Sequence, residues 1–189
     1  MAPGAGGNLD SAFLVEMAEG LAVRGFPSLR FNFSYAENRK HVPDKAPVLE
    51  ECYLAAARRG AELFPQGFFI GGKSMGGRIS SQMAAHLAAE APAIRGLVFF
   101  GYPLHAPGKQ HQLRDAHLYE LREPMLFIEG TRDAFAEPDL LKGVLKKIGD
   151  RATVRWIDGG DHSFKVRGRK PADVNREILD ATADFMRAS

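Results

Sequence analysis

Three side chains in this sequence have types and surroundings suited to acyl transfer: Ser74, Asp133 and His162. Ser74 is the centre of Gly72-Lys73-Ser74-Met75-Gly76, a Gly-x-Ser-x-Gly. In that pattern the serine sits on a strained strand-to-helix turn that projects its hydroxyl above a sheet. The strain brings the residues two before and two after into close contact, where glycine fits because it has no Cβ. A serine hydroxyl is a poor nucleophile until a base takes its proton, and a histidine titrates near neutrality. His162 is the candidate base. Asp133 is the candidate acceptor for its far ring nitrogen, fixing the tautomer and stabilising the imidazolium.

Each assignment has a plainer rival. Asp133 could simply organise the turn Gly130-Thr131-Arg132-Asp133, as aspartate often does. Asp161 is the second choice for the acid, although side chains adjacent in sequence tend to diverge. His41, His111 and His117 read as solvated loop histidines, His86 as a structural helix residue, and His105 as part of a loop after an inner strand. The oxyanion of a tetrahedral intermediate needs donors aimed at it. The Met75 backbone amide, at a helix start, is one candidate. Gly4-Ala5-Gly6-Gly7 supplies the other, with the Ala5 amide chosen and Gly6 close behind. The alternative for that loop is a free terminus that donates to nothing.

The same stretch also fits the phosphate-binding pattern Gly67-x4-Gly72-Lys73-Ser74. That loop must follow a strand and curl its amides round phosphates. Here Phe68, Phe69, Ile70 and Gly71 read as the strand itself. No aspartate closes the apolar runs Leu97–Phe100 and Met125–Ile128 to hold a metal. Nucleotide binding is therefore the remote alternative.

Positioning these groups requires a run of strands and helices. Asn8 or Asp10 can cap a helix bearing Phe13, Leu14, Met17 and Leu21, ended at Gly25. Pro27–Phe33 alternates Leu29, Phe31 and Phe33 with Arg30 and Asn32 and reads as a strand. Ser34–Lys45 reads as a loop and Ala46–Leu63 as a helix. A short buried strand from Gly67 leads into the serine turn, with a helix over Arg78–Leu87. Strands follow at Gly96–Gly101, Met125–Glu129 and Ala152–Ile157, with helices at Pro138–Ile148 and about Ala172–Met186 and a polar loop at Tyr102–Ala116. Strands alternating with helices at this spacing imply a three-layer α/β/α sandwich with a mostly parallel sheet. Ligand sites in such sheets lie beyond the carboxyl ends of the strands, where Ser74, Asp133 and His162 all fall.

The 189 residues suit a single domain, 1–189, with a sizeable core, and the loop after the Gly96 strand is too short for a lid domain. Hydrophobic residues at 45% and charged residues at 25% are ordinary globular values. A net charge of +2 is too small to argue for nucleic acid. Lys73, Arg78, Lys165 and Arg167 flank the motifs and read as solvated surface charge. Cys52 is the only cysteine, which excludes an intrachain disulfide framework and favours a reducing, cytoplasmic setting. No apolar run is long enough to span a membrane. The expected partner is a small acyl substrate, with no cofactor, metal, nucleic acid or membrane; the oligomeric state is not legible.

With these pieces in order, the chain resembles the α/β-hydrolase superfamily, and most of all its small, lidless, dienelactone-hydrolase-like branch. The resemblance covers nearly the whole chain. It is carried by Pro3-Gly4-Ala5-Gly6-Gly7, Arg30-Phe31-Asn32-Phe33, Gly71 to Arg78, Gly101-Tyr102-Pro103-Leu104, Gly130 to Asp133 and Gly160-Asp161-His162. It implies a serine hydrolase acting on an ester or related acyl bond through an acyl-enzyme. A non-catalytic binding or scaffold member of the same fold is the alternative. Three departures accompany it. Dienelactone hydrolases proper use cysteine where this chain has Ser74. Pro3 stands where such families commonly have histidine. The strand expected to lead into the oxyanion loop, between Pro27–Phe33 and Gly67–Ile70, is reduced to Met1 and Ala2. Loss of an interior strand would leave buried backbone groups unpaired at roughly 1–3 kcal/mol each, so a longer natural chain is expected.

Overall fold

A computed structural model describes residues 1–189. Four strands form one sheet: β1 (Phe69–Lys73), β2 (Gly96–Phe100), β3 (Met125–Gly130) and β4 (Ala152–Ile157). They lie in the order β1-β2-β3-β4 and every neighbouring pair is parallel. The helices are α1 (Ala12–Val23), α2 (Ser34–Glu37), α3 (Ala46–Leu63), α4 (Met75–His86), α5 (Pro138–Ile148) and α6 (Pro171–Ala188). The sheet thus lacks the strands that the resemblance places ahead of β1.

The strand sequences explain the layering. In β2 and β3 every residue is buried, as required of parallel strands covered on both faces. Leu97, Phe99, Met125 and Phe127 enter a core shared with α3, α4 and α5. Val98, Phe100, Leu126 and Ile128 enter the opposite core, with Met17 and Leu21 of α1 and Val174, Ile178 and Ala183 of α6. The alternation follows from the period of two along a strand. On α5, Leu141, Val144 and Ile148 form the buried stripe, with Pro138 at the start and Gly149 at φ 75° just past the end.

Two expectations are corrected. Pro27–Phe33 is not a strand and has no regular secondary structure. Its alternating aromatics are real: Phe31 meets the Tyr53 ring edge-on at 5.1 Å, and Phe33 stacks on Tyr35 at 6.3 Å. A ladder needs a partner strand, however, and this segment has no backbone pairing of that kind. The Met1 amino group donates to the Leu29 carbonyl (2.6 Å), while Ala2 makes one parallel bridge to Gly72. Beside Met1, between Phe26–Leu29 and Phe69–Ile70, lies an apolar cavity of about 280 Å³. It reaches none of Ser74, Asp133 and His162. Secondly, the Ser34–Lys45 loop contains the short helix α2.

β1 is an edge strand by sheet order, and its exposed side is served by improvised partners. The Ala2 N–H donates to the Gly71 carbonyl and the Ala2 carbonyl accepts from the Lys73 N–H, both at 3.1 Å. The Tyr53 hydroxyl, reaching from α3, donates to the Gly71 carbonyl (2.7 Å) and accepts from the Gly71 N–H (2.8 Å). Tyr53 is almost wholly buried, so water cannot take its place. Tyr53→Phe should therefore lower stability by about 1–3 kcal/mol, read as a fall in melting temperature of roughly 2–4 °C per kcal/mol for a chain of this size.

Candidate active site

The strand ends gather the three candidates. Ser74 directly follows β1 at φ 51°, ψ −118°, a conformation disfavoured for a residue with a side chain. Asp133 follows β3 and His162 follows β4 through tight turns. The two turns are tied to each other: Thr131 N–H donates to the Ile157 carbonyl (3.1 Å), Arg132 N–H to the Gly160 carbonyl (2.8 Å), and Gly159 N–H to Thr131 Oγ1 (2.8 Å). The imidazole of His162 then lies between the other two groups. Its Nε2 is 2.8 Å from Ser74 Oγ and its Nδ1 is 2.6 Å from Asp133 Oδ2.

Asp133 makes contacts in two directions. Its Oδ1 accepts from the Phe135 N–H (2.7 Å), organising the turn, while Oδ2 faces the histidine. Its side chain is fully enclosed, and that of His162 is 21% exposed. The Phe135 ring lies 4.3 Å from the imidazole, shielding one face. Asp161, the second choice for the acid, spends its Oδ1 on the Ser163 and Lys165 N–H groups at 2.8 and 2.9 Å. It shapes the histidine's loop instead.

The elbow glycines have a more specific reason than crowding across the turn. A Cβ on residue 72 would lie 2.3 Å from the Ala2 carbonyl oxygen, and one on residue 76 would lie 2.4 Å from it. Both are thus kept bare by the Ala2-Pro3 backbone that crosses over them. That crossing sets the Gly4–Gly7 turn beside the serine, with a Cβ at Gly4 falling 3.5 Å from the Ser74 Cβ. The Gly6 N–H donates to the Tyr35 hydroxyl (3.2 Å), whereas the Ala5 and Met75 N–H groups have no partner within the chain.

The phosphate-loop pattern dissolves, because Phe69–Lys73 is β1 itself. No group of three or more His, Cys, Asp and Glu side chains comes together to hold a metal ion. No helix is long and apolar enough to cross a membrane.

A family model described as an alpha/beta hydrolase domain matches residues 1–188. The chain belongs to the alpha/beta hydrolase family. Solved structures of similar fold include an alpha-beta serine hydrolase homologue from Coxiella burnetii, at TM-score 0.75 and 18% identity, covering 97% of this chain and 82% of that one. A serine hydrolase without lid from Xanthomonas campestris matches at 0.72 and 19%, covering 97% and 81%. Est1E from Butyrivibrio proteoclasticus, solved with ferulic acid bound, matches at 0.76 and 15%, covering 99% and 86%.

Other titratable groups of this hydrolase depart from their expected settings. His117 is buried, not solvated: its Nε2 meets Ser81 Oγ at 2.8 Å and the Tyr102 hydroxyl at 3.2 Å. Burial, then the charges of His86 and Arg78, push it down to about 4, so it is neutral near pH 7. His86 is structural, pairing its Nδ1 with Glu50 (3.0 Å). His105 is fully buried, bonds its own loop through Nδ1 and leaves Nε2 without a partner. His41 and His111 are exposed as expected.

Glu129, at the end of β3, was not marked by its sequence context. It is fully buried; Oε1 accepts from the Tyr102 N–H, and Oε2 has no partner. Burial and the neighbouring Asp133 charge raise its pKa well above the ordinary carboxyl value. A raised folded-state pKa favours folding below the unfolded value and loses that contribution as pH rises through the folded one. Glu129→Gln, nearly isosteric and still able to accept from Tyr102, should flatten this dependence. Its melting temperature relative to wild type should rise progressively from pH 5 to pH 8 in calorimetric scans; a constant difference would refute a titrating Glu129.

Proposed function

We propose that this hydrolase cleaves an ester or related acyl bond, with Ser74 as nucleophile, His162 as general base and Asp133 as the group that orients and stabilises the imidazolium. The observation that carries this reading is the continuous hydrogen-bonded line from Ser74 Oγ through the two ring nitrogens of His162 to the buried Asp133. The Ser74 proton passes to Nε2 as Oγ attacks the acyl carbon, and the same proton is then given to the departing alcohol. Water enters and attacks the acyl carbon while losing a proton to Nε2, and that proton passes to Ser74 Oγ as the acid departs. The developing oxyanion would take hydrogen bonds from the Met75 and Ala5 amides, with the α4 dipole reinforcing the first. Loss of a single such donor typically costs about 10²–10³ in rate.

Ferulic acid bound to Est1E makes an aromatic carboxylate ester the first substrate to try. Ser74→Ala should reduce turnover by about 10⁴-fold or more, measured with a chromogenic phenyl or cinnamoyl ester. His162→Ala should abolish labelling by a fluorophosphonate, which reports the activated hydroxyl without requiring the right substrate. Absence of labelling in the folded wild-type chain would favour the non-catalytic binding reading; labelling that survives Ser74→Ala would move the nucleophile elsewhere.

A further inference from the structure

Lys73 occupies the position before the serine, where a solvated surface charge was expected. Its side chain instead turns inward. Nζ donates to the backbone carbonyl of His162 at 2.6 Å and lies 5.1 Å from the centre of the Phe164 ring. Space for it is reserved by Gly101, at the end of β2. A Cβ there would stand 2.7 Å from Lys73 Nζ and 3.4 Å from His162 Nδ1. The carboxylates that face the ammonium come from two further elements. Glu129 and Asp133 belong to β3 and its turn, and Asp161 to the loop that carries His162.

We propose that Lys73 is a positioning residue for His162, holding the histidine's backbone while the adjacent Ser74 hydroxyl meets its ring. The inference builds on the hydrolase reading above and assigns a role to a residue outside its nucleophile, base and acid. Two consecutive residues of one strand end thereby grip the base at two points 88 and 89 residues away in sequence. The loop after β4 cannot drift from the nucleophile without breaking a charge-assisted bond. The same ammonium offsets negative charge gathered around Asp133, so that the developing imidazolium meets one oriented carboxylate.

Lys73 is costly to bury, and burial pushes its ammonium down to about 8, with the Glu129, Asp133 and Asp161 charges opposing that shift. Its grip therefore weakens as pH rises past about 8. The test compares wild type, Lys73→Met and Lys73→Arg in the full chain, using a phenyl ester between pH 6 and pH 10. Lys73→Met should lower kcat by about 10–100-fold, the scale of a small displacement of a reacting group, with KM within about twofold. Wild type should lose kcat/KM above about pH 8, and Lys73→Met should not. A guanidinium keeps its proton throughout this range, so Lys73→Arg should also lack that alkaline fall, and it should recover much of the kcat lost in Lys73→Met. If Lys73→Met does not fold, the Lys73→Arg profile alone decides. Wild-type kcat in Lys73→Met, or an alkaline fall that persists in Lys73→Arg, would overturn the assignment.

A readout independent of turnover separates this inference from the hydrolase reading. The His162 Nδ1–H proton, held against Asp133, should give a sharp downfield NMR signal in wild type that broadens or vanishes in folded Lys73→Met. An unchanged signal would overturn the role of Lys73 even in a protein that labels and turns over normally. Failure of wild type to label would overturn the hydrolase reading while leaving the NMR comparison decisive for Lys73.

Discussion

The crossing of the Ala2-Pro3 backbone over the serine turn is the contact on which the rest of the site depends. Ala2 hydrogen-bonds both Gly71 and Lys73, and its carbonyl oxygen presses on the faces of Gly72 and Gly76. A methyl group at either glycine would enter at under 2.5 Å, a separation that requires the backbone to move. Held in this way, Ser74 keeps a positive φ that costs of order 1–3 kcal/mol. The strain is sustained from both ends, by the ladder to β2 through the Ser74 N–H bond to the Phe100 carbonyl and by the first turn of α4. The hydroxyl direction thus follows from backbone contacts that no single side chain controls.

Much of this was legible in the sequence because parallel strands buried on both faces leave a strong signal. Gly96–Phe100 and Ala152–Ile157 fall within a residue of where their apolar runs place them. The three candidate residues were found by a simple consequence of that topology, since each follows the carboxyl end of a different strand. Pro27–Phe33 failed for the complementary reason. Its alternation records aromatic packing on one face, against Tyr53 and Tyr35, and alternation cannot reveal whether a partner strand exists. The elbow helix begins at Met75 and not near Arg78, since packing against the sheet overrides the poor helix propensity of Gly76 and Gly77. Lys73, Glu129 and His117 were missed because burial of a polar side chain is a property of the assembled layers. Nothing local in Gly-Lys-Ser distinguishes an inward lysine from an outward one.

The buried ionisable groups beneath the site are a counterweight to its stability. Glu129 with an unpartnered Oε2 and the half-buried Lys73 ammonium are each disfavoured by desolvation. Residues of similar shape without charge would pack there at lower cost. Lys73 bonds the His162 carbonyl and Glu129 feels the Asp133 charge, which distinguishes both from incidental buried polarity. Groups that lower stability yet cluster around a hydrogen-bonded serine and histidine are the pattern expected where electrostatic arrangement matters more than packing.

The serine is also mounted on the edge of the four-stranded sheet, where a strand ordinarily has the least support. Interior strands are fixed by ladders on both sides; β1 has a ladder on one side only. Its other side is held by one bridge from Ala2 and by the Tyr53 hydroxyl, which satisfies both polar groups of Gly71. These few bonds lie at the serine end of the strand, at Gly71 and Lys73. The apolar cavity lies along the same side of the strand, from Phe69 to Gly71. The bonds that replace the missing ladder are therefore concentrated on Gly71 and Lys73, the half of the strand that leads into Ser74.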